Sequence, residues 1–337
     1  MKRNYGDDYR GWPVAPRNRQ HPIRGSFLDP RTGELYHQGV DVSVRDDQPE
    51  PGAPPGCAHK VYAIEGGDVW QVYRQPKPSV EGIVRIGHFG YGHVDPIVKL
   101  GQPVKPGQHI GWTVRGEWHV HLTEWRFRGN DHEKRTAINP LAVGGKLVPY
   151  VDVAPPEILD IRFTAPASPP WGNVLGRAVF PDEGLPFDPE HLFGLVDVRA
   201  RIEDPQSFRG WFGKLPILET NHHPARVHLT VTRLSNGAKI VDRDVFTSDV
   251  TLEPTGPRPI PISQHYAPGS RQNLRAQTAV KLNRDGKGQL WFRLFARPEG
   301  AYWDTSRVPN GRYRIRVAAW DVAGNRAART VEVAIKN

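Results

Sequence analysis

Short runs in which apolar and polar residues alternate, broken every few positions by glycine or proline, recur along the whole chain. A period of two puts successive side chains on opposite faces of a strand, so the pattern predicts an all-β protein with antiparallel pairing and few helices. In the N-terminal region the predicted strands are Gly39–Val44, Lys60–Ile64, Asp68–Tyr73, Gly82–His88, Gln108–Val114 and Trp118–Phe127. Farther along they are Leu195–Ile202, Arg226–Leu234, Leu290–Ala296, Tyr313–Trp320 and Ala328–Ile335. The last two flank Asp321-Val322-Ala323-Gly324-Asn325, a string of turn-forming residues.

Three stretches interrupt the pattern. Arg45–Cys57 is acidic and proline-rich and reads as a surface loop. Its Asp46, Asp47 and Glu50 are expected to be solvated rather than calcium ligands, and Cys57 to be a loop cysteine without special chemistry. Val153-Ala154-Pro155-Pro156 reads as an extended connector, because proline cannot donate to a ladder. It divides the chain into regions 1–153 and 154–337. Thr251–Gln277, rich in Pro, Gly and Gln without periodicity, is expected to be a long loop or insertion in the second region.

Composition narrows the picture. The 337 residues are 38% hydrophobic, enough for globular cores, and the 34 glycines and 33 prolines suit a turn-rich β chain. No apolar run approaches the about 18–20 residues of a membrane span. The opening Met1-Lys2-Arg3-Asn4-Tyr5-Gly6-Asp7-Asp8 has no signal-peptide core. A single cysteine excludes an intrachain disulfide. The net charge of +9 favours polyanionic partners. Nucleic acid is one such partner and an anionic cell wall another, and no nucleic-acid motif accompanies the charge. Much of the arginine alternates with apolar residues, as in Tyr313-Arg314-Ile315-Arg316-Val317, and reads as a solvated sheet face.

Two strings carry the candidate chemistry: His37-Gln38-Gly39-Val40-Asp41 and His119-Val120-His121, with Tyr91-Gly92-His93 between them. On a strand, His37, Gly39 and Asp41 would share a face, Gly39 leaving room for a metal. His119, His121 and Thr123 would likewise share a face, with Trp118, Val120 and Leu122 on the other. Together the strings supply three potential zinc ligands and two spare imidazoles. A catalytic zinc takes three protein ligands and keeps one position open, while spare bases move protons. His59, His132, His191, His222, His223 and His228 lack such company and are expected to be surface or satisfied core residues. Rival hydrolase signatures are missing: His132-Glu133 has no second histidine at the required spacing, and no Gly-x-Ser-x-Gly elbow or Walker loop occurs.

From about Trp12 to Leu141 the chain resembles the lysostaphin-type (LytM-like) zinc metallopeptidases, which cut peptide cross-links of bacterial peptidoglycan. Pro22-Ile23-Arg24-Gly25-Ser26-Phe27 is similar to that family's opening strand, and His37-x-x-x-Asp41 to its first metal motif. Val61–Val69 matches its V-x-A-x-x-x-G-x-V segment, Tyr91-Gly92-His93-Val94 its Y-x-H-L, and Gly101–Gly111 its G-x-x-V-x-x-G-x-x-I-G hairpin. His119-Val120-His121 matches its H-L-H, and Asn139-Pro140-Leu141 its closing element. The resemblance implies one zinc per chain, held by His37, Asp41 and His121, with His93 and His119 as catalytic histidines whose division of labour is open. His88 is a rival for His93 but lacks the Tyr-Gly context. The chain departs from the family at Arg115-Gly116-Glu117-Trp118, where a small, Gly-rich approach is usual, and at Leu122-Thr123-Glu124-Trp125. The second region resembles immunoglobulin-like or fibronectin-like sandwiches, through Val308-Pro309-Asn310-Gly311-Arg312-Tyr313 and Asp321-x-x-Gly324-Asn325.

The expectation is therefore an antiparallel β catalytic domain followed by an immunoglobulin-like sandwich. It would be an extracytoplasmic zinc endopeptidase acting on peptidoglycan or another peptide substrate such as a Gly-rich chain. The alternative is a non-catalytic zinc-binding wall-binding or regulatory protein on the same scaffold.

Overall fold

The computed structural model describes residues 11–31, 35–75, 82–128, 131–142, 146–166, 172–174, 177–179, 184–205, 210–212, 215–217, 220–247, 262–270, 288–297 and 300–337. The chain is nearly all β, and its strand ladders are antiparallel. The largest sheet runs in the order Ile23–Gly25, Val40–Ser43, His119–Arg128, Phe89–Gly92, Gly82–Ile86, Gly67–Arg74 and Pro103–Val104. Asp131–Ile138 pairs with the far part of His119–Arg128. Cys57–Tyr62, His109–Val114 and Val94–Pro96 make a smaller sheet beside it.

The C-terminal ladders are separate. One sheet holds Lys239–Thr247, Arg226–Arg233, Gly311–Trp320 and Arg326–Ile335 in that order. Another is built on Leu195–Pro205, which pairs with Glu157–Thr164, Leu290–Arg293 and, at its end, Asn221–His222. Among the described residues, no ladder joins a strand before Ile138 to one after Glu157. The two sets touch through side chains: Thr220 Oγ1 donates to the Ile23 carbonyl at 3.1 Å, and the Tyr266 hydroxyl to the Leu28 carbonyl at 2.9 Å.

The alternation in the sequence explains these sheets. Val40, Val42, Val120 and Leu122 point into the core and are fully buried, leaving the other face to polar side chains. Each such burial is worth roughly 1.5–3 kcal/mol before entropy, which settles which face turns inward. In Gly311–Trp320 the buried Tyr313, Ile315 and Val317 alternate with exposed Arg314 and Arg316. Arg199 departs from the solvated-arginine expectation: it is buried and paired with Asp197 at 3.0 Å.

Several strands carried no clear period and were not anticipated: Phe89–Gly92, Asp131–Ile138, Glu157–Thr164 and Lys239–Thr247. Lys239–Thr247 mixes charged and apolar residues without strict alternation and is mostly half-buried or exposed, so pairing with Arg226–Arg233 rather than an apolar stripe defines it. Cys57 opens a strand and is buried instead of sitting in a loop. Within 251–277, Ile262–His265 forms one helical turn, and 251–261 and 271–277 lie outside the described residues, as does Met1–Asp8. No helix among the described residues is long and apolar enough to cross a membrane.

Candidate metal centre

Three adjacent strands carry the site. Asp41 and His121 are direct partners across the ladder between Val40–Ser43 and His119–Arg128. On its other side His121 faces Gly92, so His93 follows at the end of the neighbouring strand. His119 lies two residues from His121 on the same face, across from Ser43. Residues distant in the sequence thus meet because register places them side by side.

His37 arrives differently from the expectation. The strand begins at Val40, so strand alternation does not aim the imidazole. It is held from the loop: the His37 amide donates to the Asp29 carbonyl at 2.9 Å, and its carbonyl accepts from the Leu28 amide at 2.8 Å. Gly39 is needed for the strand crossing rather than for the metal. A Cβ there would lie 2.2 Å from the Leu122 carbonyl oxygen. Gly25 is the residue that clears space at the ligands, since a Cβ there would sit 2.4 Å from Asp41 Oδ2.

His37 Nε2 lies 2.8 Å from His121 Nδ1 and 3.1 Å from Asp41 Oδ1, and His121 Nδ1 lies 3.0 Å from the same oxygen. Each ligand has an outer partner. His37 Nδ1 donates to the Ser26 carbonyl at 2.6 Å, His121 Nε2 sits 3.0 Å from Thr123 Oγ1, and Arg31 donates to Asp41 Oδ2 at 3.0 Å. The carbonyl fixes the His37 tautomer, because it can only accept. The Nε2 lone pair therefore faces a carboxylate oxygen with no proton between them. Burial pushes His37 down to about 3, so its protonation does not relieve this contact near neutral pH. Burial alone would raise Asp41, but His37, His119 and Arg31 outweigh it and hold the carboxyl well below the usual carboxylate range. Two imidazole nitrogens and one carboxylate oxygen converge on one point, a donor set and an outer-partner pattern that fit zinc.

His119 and His93 stand beside this group, their ring centroids 4.4 Å apart. His119 Nδ1 donates to the Glu117 carbonyl at 2.6 Å, leaving Nε2 as the basic atom, 3.4 Å from Asp41 Oδ1. Burial, reinforced by Arg24, lowers His119 well below its ordinary value. His93 has φ 58°, in the left-handed region that histidine visits more readily than most residues, and sits 3.6 Å from Glu117 Oε2 through Nδ1. His88 is not part of the cluster: it is committed to Glu65, 2.9 Å away, which raises its pKa.

The departure at Arg115–Trp118 has a structural reason. Trp118 also has φ 58°, so it does not continue the alternation of Val120 and Leu122. Asp46 braces this turn by accepting from the amides of Gly116 at 2.7 Å and Trp118 at 2.9 Å. Asp46 is therefore buried, not a solvated loop acid. Sequence reasoning gave no site role to Arg31, Thr123, Asp46 or Glu117. Of these only Thr123 carried a signal, its place on the His119 and His121 face. Burial and the neighbouring Asp95 push the Cys57 thiol up to about 11, which disfavours the thiolate a nucleophile needs at neutral pH.

No protein-family model matches the chain, and no curated protein matches it. The crystal structure of CbpA from L. salivarius REN is similar to it at 23% identity, covering 40% of this chain and 93% of that one, with a TM-score of 0.27. A likeness at that score says nothing about function.

Proposed function

We propose that the chain is a zinc-dependent endopeptidase of the lysostaphin type that hydrolyses peptide bonds in peptidoglycan cross-links. The convergence of His37 Nε2, Asp41 Oδ1 and His121 Nδ1, with no proton available between His37 and Asp41, carries this reading. Zinc held there would supply a Lewis acid for the scissile carbonyl and lower the pKa of water. His119 Nε2, neutral and aimed at the same point, takes the proton of the attacking water. His93, the more exposed of the pair, donates to the oxyanion as the carbonyl becomes tetrahedral. The Glu117 backbone holds His119 in the tautomer that presents Nε2, and the Glu117 carboxylate faces His93.

The second region is read as an immunoglobulin-like sandwich, with the division at residues 153 and 154. Supporting this, the ladders segregate on either side of the connector, and the Tyr313 hydroxyl donates to the Pro309 carbonyl at 2.7 Å, a corner contact found in such domains. The region also braces the metal loop, because Tyr266 holds the Leu28 carbonyl and Leu28 holds His37. An extracytoplasmic location follows from the substrate class, and the net charge of +9 suits anionic wall polymers.

The test is mass spectrometry of fragments released from purified peptidoglycan, with and without a zinc chelator. Chelator-sensitive release of peptides with new amino termini is expected. Bound zinc without release from several wall types, or from a Gly-rich polypeptide, would leave the non-catalytic reading instead.

A further inference from the structure

A second group of ligand-type side chains lies where the connector meets the C-terminal ladders. Asp152 immediately precedes the connector, Asp204 comes from the end of Leu195–Pro205, and His222 from the short strand paired to it, directly across from Asp204. One donor atom from each lies within 4.8 Å of the other two. Two ligands of one ion with bonds of about 2.0–2.6 Å can be no farther apart than roughly 4–5 Å, so this spacing permits a shared cation. Asp321, at the turn after Gly311–Trp320, adds a third carboxylate to the surroundings.

The polar groups here are not satisfied by the protein alone. Asp204 is 1% exposed and its Oδ1 has no hydrogen-bond partner, and His222 is 3% exposed with Nε2 equally unpartnered. The Tyr150 hydroxyl donates to Asp152 Oδ2 at 3.2 Å and lies 3.1 Å from His222 Nδ1, so one proton is already committed. Leaving a buried acceptor unpaired costs stability, and leaving a buried charge unpaired costs more. Burial raises the Asp204 carboxyl well above its ordinary value, and Asp152 and Asp321, both of its own sign, add to the effect.

We propose that Asp152, Asp204 and His222 form a second metal site, distinct from His37, Asp41 and His121, that holds a divalent cation of the zinc or manganese class. Two carboxylates with one imidazole suit those ions better than calcium, which takes oxygen ligands, or copper(I), which takes sulfur. His222 thereby leaves the set of histidines read as surface or satisfied core. The site clamps the connector to Leu195–Pro205. It lies two residues from Thr220, whose hydroxyl holds the Ile23 carbonyl next to the strand of Asp41.

The test is metal content of the full chain after zinc loading and desalting, with circular dichroism as the check on folding. Wild type should retain two equivalents, His121→Ala one, Asp204→Asn one, and the double variant none. A single equivalent in wild type that disappears in His121→Ala overturns the site, and so does an equivalent that survives in the double variant. If Asp204→Asn fails to fold, the wild-type and His121→Ala counts decide the matter. A cluster that merely shares protons predicts no second equivalent and an Asp204→Asn variant at least as stable as wild type in chelator.

Discussion

His37 and His223 are both fully buried imidazoles, and burial pushes each down to about 3. What surrounds them differs. His223 lies between the Pro224 carbonyl, 3.1 Å away, and the Tyr266 hydroxyl oxygen, which gives its own proton to the Leu28 carbonyl and so accepts from His223 Nε2. His37 gives its one proton to the Ser26 carbonyl and turns a bare lone pair toward Asp41 and His121. Burial alone therefore does not make a ligand. What separates His37 from the aromatic cluster around His223 is a loop-held lone pair turned toward Asp41, which strand register places beside His121.

The largest effect that would break this comparison is at the convergence point. His121→Ala is expected to abolish chelator-sensitive hydrolysis and to release the zinc of that site, read by turnover and metal content together. His93→Ala and His119→Ala should keep the zinc and lose about 10²–10⁴-fold in kcat, the usual worth of a general acid or base. Zinc lost with either would make that histidine a ligand instead. Next come the outer partners. Thr123→Val and Arg31→Leu should weaken zinc affinity by roughly 10–100-fold with little change in folding. Unchanged affinity in both would detach them from the metal.

The smallest effect sharpens the His223 side. A buried neutral imidazole takes up its proton only on unfolding, so its folded pKa of about 3 against 6.5 costs stability as pH falls from about 6.5 to 3 and nothing above. His265, also pushed down to about 3 by burial, behaves alike. His223→Gln should therefore flatten the fall of the thermal midpoint over that window. An equally steep fall in the variant would show that another group is responsible.

Much of the N-terminal sheet was legible because alternation sorts the two faces: Val120 and Leu122 toward the apolar core, His119 and His121 on the opposite, polar face. His37, Asp41, His93, His119 and His121 stood out because ligand-type side chains recur in short strings, and the structure places these side chains beside one another. The placement of His37 was not legible, since it depends on loop hydrogen bonds to Asp29 and Leu28 rather than on a period. Asp46 and Arg31 were hidden for a similar reason. Nothing local marks an aspartate that will accept from amides 70 and 72 positions away, or an arginine that will reach Asp41 from a short two-stranded ladder. The cluster of Asp152, Asp204 and His222 escaped notice because its members are scattered over the edge of the connector and two strands, and only the Asp204–His222 register unites them.

The convergence itself is tested most directly by anomalous diffraction at the zinc edge from crystals grown with zinc near neutral pH. The account predicts a peak about 2.0–2.2 Å from each of His37 Nε2, Asp41 Oδ1 and His121 Nδ1, with His119 and His93 beside it and unbonded. A structure with no peak among these three atoms, at full zinc loading of the protein, would contradict it.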